Sequence, residues 1–199
     1  MATSDLVVIG AGGHAASVID VIRSAGRYRI VKLVDPKYLT RYGISCLQDD
    51  SKLKKYCQNA GVELGAIGIG SVFDWKAKLR GIELLKSIGL TAPWIISKYA
   101  YVSPSAKLGW GVVIHHHAVV NAEAVIGEYC TINTGAIVEH GVTIGNLTHI
   151  APGAIILGDA KIGEQCFIGA GVVVPPGREV EANTILGMKG QEYETLLHL

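Results

Sequence analysis

The chain has 199 residues, 49% of them apolar, enough to bury a sizeable core in one large domain or two modest ones. Eighteen Lys and Arg against seventeen Asp and Glu leave a net charge of +1 with no block of like charge. That balance excludes the electrostatic footprint of a nucleic-acid binder and points to a small-molecule partner. The apolar run at 6–9 is broken at once by residues 10–14, so it forms neither a secretory core nor the roughly 20 apolar residues of a membrane span. The expected setting is cytoplasmic. Cys46, Cys57, Cys130 and Cys166 contain no Cys-x-x-Cys pair and read as reduced, buried small hydrophobes.

Residues 1–100 alternate short apolar runs with amphipathic stretches, the order of β-α-β units feeding a parallel sheet. A strand is predicted at 6–9, then a helix at 15–25 with Ala15, Val18, Ile19 and Ile22 on one face and Gly26 ending it. A second strand follows at 29–34. Segment 37–61 fits either a loop or a short helix. Further on, 66–69 reads as a buried strand, 75–88 as a helix with Leu84, Leu85 and Ile88 on one face, and 92–96 as a last strand. Gly10, Gly12 and Ala15 satisfy the fingerprint G-x-G-x-x-G/A between a strand and a helix, with Asp35 closing the second strand. Alone this suggests NAD, yet about 95 residues lack the half that grips a second mononucleotide, so one nucleotide fits better. The helix start at Gly13 could hold a phosphate, or the glycines could simply form a tight packing turn.

Beyond residue 100 the period changes to six. From Val102 the steps are Leu108, Ile114, Val120, Ile126, Ile132, Val138, Ile144, Ile150, Ile156, Ile162, Ile168, Val174, Val180 and Leu186, so all fifteen positions are aliphatic. Four places later in each unit the residue is small or β-branched, from Ala106 to Gly190, except at Arg178. A hexapeptide period marks a parallel β-helix, here over residues 101–199. Three units make one triangular turn, so equivalent positions lie eighteen residues apart. Five turns at about 4.8 Å each give a prism roughly 24 Å tall. On that spacing Cys130 and Cys166 are two turns apart, beyond the roughly 7 Å a disulfide allows. Flat outer faces and open ends invite self-association, which predicts a homotrimer.

Chemistry must come from polar groups outside the prism, and histidine suits a base at neutral pH. The seven are His14, His115, His116, His117, His140, His149 and His198. His140 follows the inward Val138 by two positions and is expected to be exposed. His149 is expected near a corner nine residues later, with Asn133 one face earlier. Adjacent residues of a strand point to opposite sides, so His115, His116 and His117 cannot converge on one metal ion, and no metal site is expected. A solvated surface histidine is the plain alternative for each.

Four stretches carry a resemblance: Val8-Ile9-Gly10-Ala11-Gly12-Gly13-His14; Ser103-Pro104-Ser105-Ala106; residues 132–140; and His149-Ile150-Ala151-Pro152-Gly153-Ala154. Through them nearly the whole chain resembles the bacterial sugar acyltransferases that include sialic acid O-acetyltransferases and N-acetyltransferases of UDP-linked amino sugars. The resemblance implies a Rossmann-like N-terminal domain that binds a nucleotide sugar, followed by a left-handed parallel β-helix, an exception to the usual right-handed crossover. It implies a trimer with acetyl-CoA between neighbouring prisms. His140 is implied to be the general base taking a proton from the sugar amine or hydroxyl, with backbone N–H groups stabilising the oxyanion. His149, Gly153, Ala154 and Gly171 are implied to line the coenzyme site; Gly12, Gly13, His14, Asp35 and Gly70 the substrate site.

The chain departs from that pattern. Gly141 stands where many amino-sugar relatives have Asp or Glu after the histidine, leaving Glu139 as substitute, and Glu-His-Gly is closer to the sialic acid branch. Ser97-Lys98 replaces a frequent His-Pro. After Gly187-Met188-Lys189-Gly190 the chain ends in a short polar tail instead of further coil and a Val-Pro-Ala-type segment, a departure that bears on the coenzyme's distal part. The leading expectation is acetyl-CoA-dependent acetylation of a nucleotide-activated amino sugar for surface-glycan assembly. Sialic acid O-acetylation, a non-catalytic nucleotide-sugar-binding scaffold and a nicotinamide-linked oxidoreductase are the competing readings.

Overall fold

A computed structural model describes residues 3–70 and 75–187. The predictions that fall on Gly190 and His198, and on the tail from Met188, lie outside the described residues. The chain divides into two compact units, with the division between Ile95 and Ile96.

The first unit is a five-stranded sheet in the order β3-β4-β2-β1-β5, formed by β1 (Ser4–Ile9), β2 (Tyr28–Val34), β3 (Thr40–Arg41), β4 (Ile44–Leu47) and β5 (Leu64–Ile67). All pairings are parallel except β3 with β4. Its helices are α1 (Gly13–Ala25), α2 (Leu53–Ala60) and α3 (Lys76–Ile88). Central β1 is apolar on both faces, with Leu6, Val7 and Val8 fully buried, as a strand covered on both sides must be. Gly26, Gly61 and Gly89 end the three helices in the left-handed conformation that suits glycine at a C-terminus.

Segment 37–61 resolves into the β3–β4 hairpin, a 3-10 turn at Asp50–Lys52 and α2. Two-residue pairing and a Tyr42–Gly43 turn give too short a pattern for periodicity to register. The run at 92–96 contains strand only at Ile95–Ile96, and the helix at 75–88 buries Ile82 and Gly81 beside Leu85, while Leu84 and Ile88 are half-buried.

The second unit is a coil with three flat faces. The first carries Tyr101–Val102, Val119–Val120, Ile137–Val138, Ile155–Ile156 and Val173–Val174. The second carries Lys107–Leu108, Val125–Ile126, Thr143–Ile144, Lys161–Ile162 and Glu179–Val180. The third includes Val113–Ile114, Thr131–Ile132, His149–Ile150, Phe167–Ile168 and Ile185–Leu186. Every pairing is parallel and eighteen residues long in sequence, as in Ile137 with Ile155 and Thr143 with Lys161. The step-six aliphatics point inward with the small residues four places on, so Ile132, Ala136, Val138, Val142 and Ile144 form one continuous buried column.

Two kinds of residue complete the coil. From Gly111 to Asn183 the second turn residue of each corner takes a left-handed φ, either glycine (Gly135, Gly141, Gly153) or a tolerated residue such as His117, Leu147 or Asp159. Inside, the sulfhydryls find carbonyls: Cys130 Sγ donates to Gly145 O at 3.0 Å and Cys166 Sγ to Glu181 O at 3.0 Å, and all four cysteines are free thiols. Cys46 is half-buried, unlike the other three, because β4 lies near the sheet's edge.

Truncating an inward residue leaves a cavity in a column that cannot collapse from one side. Ile144→Ala is expected to cost about 2–5 kcal/mol of unfolding free energy, and Thr143→Ala, one residue away on the exposed side, less than about 0.5 kcal/mol. Chemical denaturation of both variants checks the pair.

Candidate active site

In the first unit the crossovers leave β1 in opposite directions, toward β2 on one side and β5 on the other, so a crevice opens at the strands' carboxyl ends. A cavity of about 580 Å³ fills that position, lined by Ile9, Gly10, Val34, Asp35, Gly68 and Ile69 from the strand ends and by Gly12, Gly13 and His14 from the start of α1. Gly70, Asp50 and Arg80 also face it. Gly10, at φ 97°, has no room for a Cβ, which would lie 2.7 Å from Ile69 Cγ1. Gly12 caps α1 without a side chain, so the positive end of the helix is left to the cavity.

The structure gives Asp35 a local task. Its carboxylate accepts from the Ala11 N–H at 2.9 Å and the Lys37 N–H at 2.9 Å, tying the glycine turn to the end of β2. Tyr42 fixes the same turn from the hairpin, donating its hydroxyl to Gly12 O at 2.8 Å. Among the described lining residues Arg80 carries the one full positive charge. Sequence periodicity could not find Arg80, which reaches the crevice from an exposed position on α3, or Tyr42, which holds the glycine turn from the hairpin. Gly70 lies against His14, where an added Cβ would be 3.0 Å from its Cβ and Cγ. Burial, and behind it the charge of Lys78, lower the His14 imidazole to about 4, so it is neutral at pH 7.

In the second unit His140 and Gly141 form the corner between the first and second faces, and His140 is exposed. Its carbonyl accepts from Asp159 N at 3.0 Å in the turn above, while Gly141 N donates to Ala122 O at 3.0 Å in the turn below. The Glu139 carboxylate accepts from the backbone N–H of His140 at 3.4 Å, a contact with the main chain and not with the ring. Gly141 occupies the left-handed corner slot, which accounts for glycine there on backbone grounds.

His149 differs from the expectation of an open corner position. It lies on the strand His149–Ile150 of the third face and is only 5% exposed, its ring tilted against Phe167 at 5.2 Å between centroids. Asn133 shares that face, because residue 133 stacks one turn below residue 151; its Nδ2 lies 3.1 Å from His149 Nε2. Pro152 and Gly153 form the next corner, followed by inward Ala154, and Gly171 repeats the corner one turn higher. A corner between the first and second faces lies opposite the third face. Within one coil, therefore, His140 does not share a site with His149.

His115, His116 and His117 also depart from the prediction, lying around a corner and not along a strand. His115 is buried, His116 Nδ1 lies 2.6 Å from Ser97 Oγ, and His117 stacks on Tyr99 at 5.8 Å. Among the described residues no three His, Cys, Asp or Glu side chains are grouped to hold a metal ion, and no helix is long and apolar enough to cross a membrane.

Comparison with known proteins bears on both units. Residues 5–74 match the PglD N-terminal domain, and residues 123–158 match the bacterial transferase hexapeptide of six repeats. The acetyltransferase domain of PglB from Neisseria gonorrhoeae superposes with a TM-score of 0.85 at 29% identity, over 94% of this chain and 89% of that one. The chain has the two-unit fold of the left-handed β-helix sugar acyltransferases and, like them, is an acyltransferase. The same PglB domain in complex with acetyl coenzyme A gives a TM-score of 0.82 at 28% identity, again over 94% and 89%. A mutant of perosamine N-acetyltransferase from Caulobacter crescentus, in complex with CoA and GDP-perosamine, gives 0.76 at 28% identity over 94% of each chain. No curated protein sequence matches. The coil of this acyltransferase is accordingly the left-handed one.

The lowered His14 value makes the acid response of the first unit predictable. The folded form resists protonation that the unfolded chain accepts, so this contribution is intact above about pH 6.5 and is lost as pH falls toward about 4. His14→Gln is expected to lose on the order of 2 kcal/mol less stability than the unsubstituted protein between pH 7.5 and 5. Urea unfolding at the two pH values measures the difference.

Proposed function

We propose that this acyltransferase moves the acetyl group of acetyl-CoA to the amino group of a nucleotide-activated amino sugar, for glycan assembly, with His140 as general base. The observation that carries the reading is an exposed imidazole at a coil corner, in a chain whose structural neighbours include acetyltransferases holding acetyl-CoA or CoA with GDP-perosamine. The amine nitrogen attacks the thioester carbonyl, forming a C–N bond. The amine's proton passes to His140; as the C–S bond breaks, the imidazolium returns that proton to the departing thiolate, so CoA leaves as the thiol and His140 is again neutral. Backbone N–H groups of the coil are the available donors for the oxyanion. Glu139, holding the His140 backbone N–H, keeps a negative charge near the base.

The first unit takes the nucleotide sugar. Its crevice offers an open helix end at Gly12, Gly13 and His14, a turn held by Asp35, and Arg80 as the cation for a diphosphate, with Gly70 keeping clear the space beside His14. A neutral His14 can accept a hydrogen bond from a sugar hydroxyl.

The second unit works as a homotrimer. Its first face carries an outward column that is apolar throughout but for the Tyr101 hydroxyl, Tyr101, Val119, Ile137, Ile155 and Val173, with Tyr101 56% and Val173 50% exposed, whereas the second face sets Val125 among the polar Lys107, Thr143, Lys161 and Glu179. Apolar surface on a flat face is what a second copy covers. Packing the first face of one copy on the third of the next brings the corner of His140 toward His149, Gly153, Ala154 and Gly171 of the neighbour. The coenzyme site is then built from two chains. In this reading the enzyme works in the cytoplasm; among the described residues no helix is long and apolar enough to cross a membrane.

Thiol release from acetyl-CoA, measured against UDP- and GDP-linked amino sugars, CMP-sialic acid and free sialic acid, tests the reading; turnover is expected only with acceptors bearing a free amine. His140→Ala should slow turnover by roughly 10²–10⁴-fold, and near-normal turnover in that variant contradicts the assignment. Arg80→Ala should raise KM for the nucleotide sugar about ten- to a hundredfold and leave KM for acetyl-CoA unchanged.

A further inference from the structure

Each coil corner stacks on the corner eighteen residues away, so a bulky corner side chain needs a small partner in the next turn. The His140 corner shows this in two directions. The imidazole lies over Gly158: a Cβ built there would sit 2.7 Å from Cε1 and 2.8 Å from Nε2 of His140. In return the Asp159 carboxylate lies over Gly141, with its Oδ1 in the space that a Cβ at residue 141 would fill. The pairs interlock, His140 over Gly158 and Asp159 over Gly141. The corner ladder is continuous through them, from Asp159 N to His140 O at 3.0 Å and from Gly177 N to Gly158 O at 2.9 Å.

Several features isolate the role of Gly158. Unlike Gly141, Gly153 or Gly177, it does not have a positive φ, so its backbone accepts an L side chain. The three nearest atoms to its added Cβ are all in the His140 ring: Cε1, Nε2 and Nδ1, the last at 3.4 Å. Neither backbone geometry nor a carbonyl therefore requires glycine at this position. What the missing Cβ leaves is room for the imidazole, with its Nε2 edge against the bare Cα.

We infer that Gly158 is a positioning residue for acetyl transfer, the seat that holds the His140 imidazole in its working rotamer. The inference rests on His140 being the base. A methyl group at residue 158 overlaps Cε1 and Nε2, so the ring must turn off the corner. General-base catalysis falls steeply when the base is displaced by even about 1 Å.

The test is a double-substitution cycle in the full chain, with acetyl-CoA and whichever amino-sugar nucleotide of the panel turns over. Gly158→Ala is expected to lower kcat by at least about 100-fold, approaching the effect of His140→Ala. KM for both substrates and the melting temperature should stay within error. Adding Gly158→Ala to His140→Ala should cost nothing more, since the ring it displaces is gone. A kcat within a fewfold of the unsubstituted enzyme overturns the inference, as does an equal further loss of activity or melting temperature in the His140→Ala background, which marks a folding defect. If His140→Ala itself turns over normally, the base assignment fails instead. A readout free of turnover covers that outcome: the Cε1–H resonance of His140, identified by its loss in His140→Ala, should shift in Gly158→Ala. An unmoved resonance rejects the seat.

Discussion

The second unit depends on one constraint, the burial of an aliphatic side chain at every sixth position inside a three-sided column. Each strand is only two residues long, so no strand could persist alone. What holds it is the stack: Ile132 meets Ile114 below and Ile150 above, and the same match repeats on the other faces. Because a one-residue slip would turn the interior set to solvent, the register is fixed wherever the column is filled. That register places every corner at a known height, and with it His140, Gly141, Gly158 and Asp159.

The first unit rests on a different constraint, the close approach of two glycine turns at the end of β1. Gly10 passes Gly68 and Ile69 without room for a Cβ, and Gly68 in turn lies against Val8 and Ala15. Carboxylate and phenol groups, Asp35 and Tyr42, then hold the turn from neighbouring elements. The result is an open helix end beside a crevice, with a neutral imidazole and one guanidinium at its rim.

The repeat was legible because one residue class at one phase survives any local variation, and its period dictates the architecture directly. The glycine turn and the main α/β elements were legible for similar reasons: a long buried strand and a helix of 3.6 periodicity each leave a strong pattern. The β3–β4 hairpin left none, having two paired residues per strand. His149 was misplaced because counting along the chain gives a step within a unit but not whether an outward side chain is covered. Asn133 does lie one face before His140, but its contact with His149 was not legible, because eighteen-residue closure stacks residue 133 on residue 151 and only the direction of the side chain brings its amide to residue 149. Gly158 carried no signal at all in the sequence, being one glycine among 25; only the imidazole resting on it gives it meaning.

The most direct measurement concerns that eighteen-residue closure. Thr143 and Lys161 are directly paired on the exposed second face, so their Cα atoms should lie about 5 Å apart, inside the disulfide range. With the double substitution Thr143→Cys, Lys161→Cys, mild oxidation is expected to give an intramolecular crosslink, seen by mass after alkylation of the remaining thiols. The pair Thr143→Cys, Ile155→Cys, twelve residues apart and on different faces, should give none. Crosslinking of the second pair, or its absence in the first, would contradict the stacked coil and the placement of His140 that follows from it.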